Sequence, residues 1–343
     1  MKRATSFDVA QKAGVSRSVV SAVLNNTRGI GVSEEKRRAV LQAIEELNYV
    51  VDVQAKGMRT GRSQCIAAYG NLKNPFFAQM LQGLQKVCNE RGYYVLLCGA
   101  SADAGVDPRK KLLDLFLQRR IDGIVSKDTT GYMNEEWERE VHRLNIPHVS
   151  VEGFPESDGI ASVQMDYGQS VREALDYAWS RTKLPPVYLE LFNGPVHAPN
   201  WGDRHRTQAY LAWMREHGLE PNVLQKLYQA WPEDEAWWFD LVHSWKGRQV
   251  SVLTNWSRAS VAIYRAAYEV GLRIGSDVHV MAADNTEQLN EAMVPALSAV
   301  EVPYAEMGEA AALRLLEYTE GTRALADTER IWLPAKLMAR ESM

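Results

Sequence analysis

Apolar residues recur along this chain with two different periods. In the first fifty positions they fall three and four apart. Phe7, Val9, Ala10 and Ala13 form one short face, Gly14 interrupts it, and Val15, Val19, Val20 and Val23 begin another. After Ser33 comes a third face of Val40, Leu41, Ile44 and Leu47. Thr5 or Ser6, then Ser16 and Ser33, stand where a hydroxyl can accept the orphan N–H groups of a first turn, so the pattern predicts three helices complete by Tyr49. From Cys65 onward the pattern changes. Short runs such as "CIAAYG", "YYVLLCG", "IDGIVS", "PHVSV", "VYLELF", "QVSVLT" and "DVHVMAA" alternate with amphipathic stretches such as "PFFAQMLQGLQKVCNERG" and "DPRKKLLDLFLQRR". That alternation predicts parallel, doubly wound sheets. The units are too many for one sheet, so two α/β lobes are expected, their strand ends facing a common cleft.

The first two helices meet three steric demands of a helix-turn-helix. A tight crossing needs a small residue, which Ala10 supplies. The turn needs a residue tolerant of positive φ, which Gly14 supplies, and Val20 can anchor the second helix on the first. A plain helical hairpin also favours Gly in its turn, so spacing alone leaves both readings open.

Charge separates the two regions. The 343 residues are 46% hydrophobic and 24% charged, with a net charge of −4. Residues 1–62 carry 11 Lys/Arg against 6 Asp/Glu, a balance of +5, and the remainder carries −9. An anionic partner is therefore expected for the N-terminal region only. Cys65, Cys88 and Cys98 lack ligand or disulfide spacing and read as reduced core residues. No run approaches the ~18 apolar residues of a membrane span, and the N-terminus has no apolar signal region, so a cytoplasmic protein with no membrane association is expected. GxSxG, HExxH, Walker and GxGxxG patterns are absent, and His197 and His205 have no third ligand at metal spacing. Neither an enzyme, a metal nor a cofactor is expected.

"TSFDVAQKAGVSRSVVSAVLNN" followed by "VSEEKRRAVLQAIEELNY" resembles the N-terminal domain of the lactose-repressor (LacI/GalR) family of bacterial transcription regulators. The resemblance implies a recognition helix from about Arg17 to Leu24 in the major groove, with Arg17, Ser18 and Ala22 toward base edges. Arg17 could bond guanine through both guanidinium nitrogens. Thr5, Phe7, Ser16, Ser21 and Asn25 resemble phosphate-contacting positions. Position 22 is often Arg in the family, and Ala22 retains at most an apolar touch. The linker "VVDVQAKGMRTGR", residues 50–62, resembles the family's hinge helix, with Ala55 and Lys56 matching and Met58 where a leucine wedges into the minor groove. It departs from the family at Val51-Asp52, in place of Pro-Asn, and at Gly57, which costs a helix ~1 kcal/mol relative to Ala.

The body resembles the family's periplasmic-binding-protein-like effector domain, in segments such as "NPFFAQMLQGLQKVCNERGYYVLLC", "IPHVSVEG" and "PALSAVEVPYAEMGEAAALRLLE". The implied organisation is a DNA-binding domain at 1–49, a hinge at 50–62 and an effector-binding, dimerising domain at 63–343. Within the last, the N-lobe is expected at about 63–163 plus the segment after 297, and the C-lobe at about 164–297. By position, Phe76 and Phe77 would floor the pocket and Glu152 would hold a hydroxyl. Arg204 matches the effector-binding arginine, with Arg206 close by, and Asp284 matches an effector-binding acid. Where the family has Asn-Asp, this chain has Trp256-Ser257, which suggests a larger or less hydroxyl-rich ligand. Of the tryptophans at 231, 237, 238 and 245, most are expected to pack, and Trp231 is a candidate for the cleft. Together these imply a homodimeric repressor that binds a pseudo-palindromic double-stranded DNA operator and is controlled by a small-molecule effector, a sugar or glycoside. The alternative is a sugar-binding or sugar-modifying protein whose N-terminal helices do not touch DNA.

Overall fold

A computed structural model describes residues 4–24, 31–50, 61–99, 108–194, 196–229, 234–285 and 288–343. Two units emerge, Met1–Ser63 and Gln64–Met343.

In the first unit, α1 (Ser6–Lys12), α2 (Arg17–Leu24) and α3 (Glu34–Glu46) enclose a core of Val9, Ala10, Val20, Val23, Val40 and Ala43. Thr5 caps α1 through a reciprocal pair with Asp8, and Ser33 caps α3 by accepting from Lys36 N at 3.4 Å. Gly14 has φ +65 with open space around the missing Cβ, so the turn selects glycine for its backbone conformation and not for room. Two residues read as apolar-face positions lie outside this core. Phe7 is 60% and Leu41 53% exposed, because the core of three short helices is filled by the narrower stripe of Val and Ala.

The second unit holds two six-stranded sheets. The first contains β1 (Cys65–Gly70), β2 (Tyr94–Gly99), β3 (Gly123–Lys127), β4 (His148–Val151), β5 (Ala161–Met165) and β11 (Ile331–Leu333), in the order β11-β5-β4-β3-β1-β2. The second contains β6 (Pro186–Phe192), β7 (Val223–Leu227), β8 (Val250–Thr254), β9 (Val278–Ala282), β10 (Ser298–Glu301) and β12 (Lys336–Met338), in the order β12-β10-β9-β8-β6-β7. All pairings are parallel except β10 with β12. The buried strands are near-continuous Val, Ile, Leu and Ala, as expected of sheets covered on both faces.

Helices α4 (Pro75–Arg91), α5 (Lys110–Leu117) and α6 (Glu135–Leu144) follow first-sheet strands. Helices α7 (Tyr167–Thr182), α8 (Trp201–Glu216), α9 (Glu235–His243) and α10 (Ser257–Val270) follow in the second lobe, and α11 (Tyr304–Glu320) returns to pack on α4. The chain thus crosses between lobes after β5, after β10 and between β11 and β12. The expectation that everything after residue 297 lies in the first lobe is corrected. Ser298–Glu301 and Lys336–Met338 pair in the second sheet, because β10 continues the parallel ladder on β9 and β12 closes its far edge. Among the described residues, no helix is long and apolar enough to cross a membrane.

Candidate functional site

The first unit presents a small polar face. Arg17 and Ser18, at the start of α2, are exposed, and so is Ser16, whose hydroxyl lies 2.7 Å from that of Ser18. Ser21 is half-buried on the same helix. The hydroxyl of Thr5 is already engaged with Asp8, while the Phe7 ring projects outward. Ala22 is corrected: at 4% exposure its methyl does not reach past its longer neighbours and offers no surface to a base. Asn25, Ala55, Lys56, Met58 and Trp231 lie outside the described residues.

In the second unit the carboxyl ends of both sheets converge on a buried ionic network. Lys127 ends β3 and forms an ion pair with Glu152, which follows β4. Glu152 also accepts from the hydroxyls of Tyr167 and Tyr304, the latter at 2.7 Å. Those tyrosines stand directly after the first and second interlobe crossings. Burial works to raise the Glu152 pKa, but Lys127 and the two hydroxyls outweigh it and hold the carboxyl below its usual range. On the far side, the Arg206 guanidinium lies 4.4 Å from the Tyr167 ring centre and 3.2 Å from Asp203. Asp203, with Glu190 and Asp284 nearby, is pushed up by burial and then by those two acids, against Arg206. Asp284 accepts from Ser257 N at 2.6 Å, which satisfies the start of α10.

The lobes touch directly here. Asn200 caps α8, placing Trp201 in the first-lobe core with its ring 6.2 Å from Tyr167. Gly131 (φ +92) comes so close that a Cβ there would stand 2.9 Å from Trp201 N. A separate cavity of about 270 Å³ is lined by Gln79 of the first lobe and by Asn285, Gln288, Asn290, Glu291 and Glu301 of the second.

These positions sort the expected pocket residues. Glu152, Ser257 and Asp284 are buried at the strand ends, and Phe76 stacks on Tyr304 at 4.2 Å between ring centres. Phe77 is corrected to a core residue, its ring packed against Gly70 under β1. Arg204 is corrected too: it points to solvent and reaches the Pro199 carbonyl at 3.3 Å, while Arg206, two residues on and so turned to the opposite side of α8, is the buried arginine. The Trp256 indole packs against the second-lobe core, as do Trp237, Trp238 and Trp245. Sequence reasoning missed Lys127, Tyr167, Glu190, Tyr304 and the amides of the cavity. Glu190 alone carried a local signal, a carboxylate inside the apolar strand "VYLELF".

A second network lies deeper in the first lobe. Asp128 accepts from Ser126 at 2.6 Å and Ser150 at 2.8 Å and pairs with Arg109, which lies over the Tyr132 ring. His148 Nε2 is 2.9 Å from Ser126 Oγ, and its Nδ1 accepts from Trp137 Nε1 at 3.4 Å. The acid bonds the serine and not the imidazole, so this is not the order of a nucleophilic triad. Burial, opposed by Asp128 and reinforced by Arg109, pushes the His148 pKa down to about 3. An unfolded histidine takes a proton near its ordinary value of 6.5 and the folded one does not. Stability from this group is therefore present above about pH 6.5 and lost as pH falls toward 3, at about 1.4 kcal/mol per pH unit. Denaturant melts of the protein and of His148→Gln between pH 7 and 5 should show that slope in the first and its loss in the second; equal slopes would place the acid sensitivity elsewhere.

Comparison with known proteins follows the same division. Residues 7–52 match the family model "Bacterial regulatory proteins, lacI family", and residues 190–343 match "Periplasmic binding protein-like domain". The chain is 29% identical to the ribose operon repressor of Escherichia coli (strain K12), over 99% of each chain. It is 27% identical to the HTH-type transcriptional repressor PurR of Proteus mirabilis (strain HI4320), covering 99% of this chain and 97% of that one. Among solved structures, a lac repressor dimer bound to operator and the anti-inducer ONPF has a similar fold, with TM-score 0.74 at 21% identity over 99% of both chains. Residues 7–52 are thus a DNA-binding domain of the lacI family of bacterial regulatory proteins, followed by a periplasmic-binding-protein-like domain, in the order these repressors share.

Proposed function

We propose that this protein is a cytoplasmic, homodimeric transcriptional repressor whose affinity for a two-fold operator is set by a small polyhydroxylated metabolite between its lobes. The observation that carries the reading is a single one: a three-helix unit exposing Arg17 and Ser18 is joined to a two-lobed unit whose interlobe cavity is lined by amides and carboxylates. Side-chain amides donate and accept at once, which suits hydroxyl groups. For the dimer, edge strand β2 exposes Tyr94 (65%) and Leu97 (54%), and neighbouring Leu117 on α5 is 60% exposed. That much apolar side chain on a sheet edge favours a partner copy.

A route from cleft to that face runs through Asp128, next to Lys127, and its buried partner Arg109 at the start of α5. Ligand that draws Lys127 or Glu152 to itself shifts this pair and with it the dimer face, and so biases the paired DNA-binding units.

A gel shift on the DNA upstream of its own coding sequence tests the reading. Salt-sensitive, sequence-dependent binding that a polyol alters is expected; its absence at every ligand concentration favours a sugar-binding protein that ignores DNA. Arg17→Ala should relax preference at one base pair per half-site, losing about 1–3 kcal/mol of discrimination. A uniform loss across all sequences would make Arg17 a phosphate contact.

A further inference from the structure

We propose that the Glu152 carboxylate is a hinge lock: by holding Tyr167 and Tyr304 it fixes the angle between the two lobes. The first two crossings of the chain each end on one of these tyrosines. Asp166 caps α7 just after β5, so Tyr167 is the first residue of a helix that packs, from Val171 and Ala174 onward, in the second lobe. Tyr304 opens α11 as the chain returns from β10 to the first lobe. Both hydroxyls donate to the same oxygen, Glu152 Oε1, and Lys127 at the end of β3 donates to Oε2. One first-lobe carboxylate thus ties the start of a helix on either side of the joint.

Tyr167 is gripped from both lobes. Glu152 holds its hydroxyl, while its ring lies beneath the Arg206 guanidinium and edge-on to Trp201, both on second-lobe α8. Lys127, Glu152, Tyr167 and Tyr304 are all at most 8% exposed, so water does little to weaken these charge-assisted bonds. The backbone gives an independent sign. Glu152 has φ +66, a region that side chains other than Asn, Asp or His seldom enter. Such a conformation persists where surrounding bonds hold it, and here they are the bonds of the carboxylate. The third crossing differs. Lys336 pairs with Glu306 across it, but the two side chains are 53% and 47% exposed, and exposed pairs restrain little. Where the lobe angle carries the response to a cleft ligand, as proposed above, the lock sets its resting position.

Hydrogen exchange on the full-length protein tests this at the seam between the lobes, residues 128–132 and 200–206, where Gly131 meets Trp201 and Gly202 meets Thr130. Tyr167→Phe and Tyr304→Phe each remove one hydroxyl and keep the ring. Because the two ties act in parallel, either variant alone should speed seam exchange about twofold and the double variant about tenfold or more, with β3 and β8 unchanged. Lys336→Gln should leave the seam as it is. Unaltered seam exchange in the double variant would overturn the lock. So would a double effect no larger than the product of the single ones, or an equal rise in β3 and β8, since the hydroxyls would then be ordinary packing contacts. A Lys336→Gln effect as large as that of the double variant would also overturn it, by placing the restraint at the third crossing.

Discussion

Arg206→Ala is expected to destabilise the 64–343 unit by about 3–5 kcal/mol, while Arg204→Ala, two residues away, changes it by less than ~0.5 kcal/mol. Arg206 is 7% exposed and pairs with Asp203, itself 6% exposed. Removing the guanidinium leaves a carboxylate among Glu190 and Asp284 with nothing to neutralise it. The Asp203 pKa is already raised by burial and by those acids. Without Arg206 it rises further, so the variant's penalty should be largest at high pH and shrink as the solution becomes acid enough to protonate the acid. Urea melts of both variants at two pH values check this. Equal, small effects from the two substitutions would mean that the buried pair contributes little to the stability of this unit. Arg206→Ala should also abolish ligand-induced stabilisation, whereas Arg204→Ala retains it.

Gly308→Ala, like Gly83→Ala, should be strongly damaging to the first lobe. Helices α4 and α11 cross so closely that a Cβ on Gly308 overlaps the carbonyl oxygen of Met80, and one on Gly83 overlaps that of Ala305. The obstacles are backbone atoms, which cannot turn aside as a side chain can. Overpacking of this kind costs about 1–3 kcal/mol and more where nothing can yield. Helix α11 is supplied to the first lobe only after the chain has built most of the second, so forcing it off α4 loosens the joint between the lobes. Hydrogen exchange should report faster opening of residues 304–320 together with a lower Tm. An unchanged exchange pattern would show that the helices separate at no cost.

The helix-turn-helix was legible because its constraints are local. Ala10, Gly14 and Val20 answer steric demands set within a dozen residues, and Thr5 and Ser33 cap the helices that follow them. The parallel sheets were legible for a similar reason, since strands buried on both faces are written as unbroken apolar runs. Helical phase was less secure at the margins. Phe7 and Leu41 were assigned a face by spacing, and Phe77 a place in the pocket by resemblance, and the packing of neighbours moved them elsewhere.

By itself, then, the sequence determined the two kinds of unit, their order and the side of α2 that faces outward, because periodicity and capping act over one or two turns. Only the tertiary structure decided which arginine of "WGDRHRTQAY" is buried, that β10 and β12 belong to the second sheet, and that Lys127, Glu152, Tyr167 and Tyr304 meet. Those four come from strand ends and crossings up to 177 positions apart, and Coulomb attraction and hydrogen bonding among them depend on distances that no local pattern encodes.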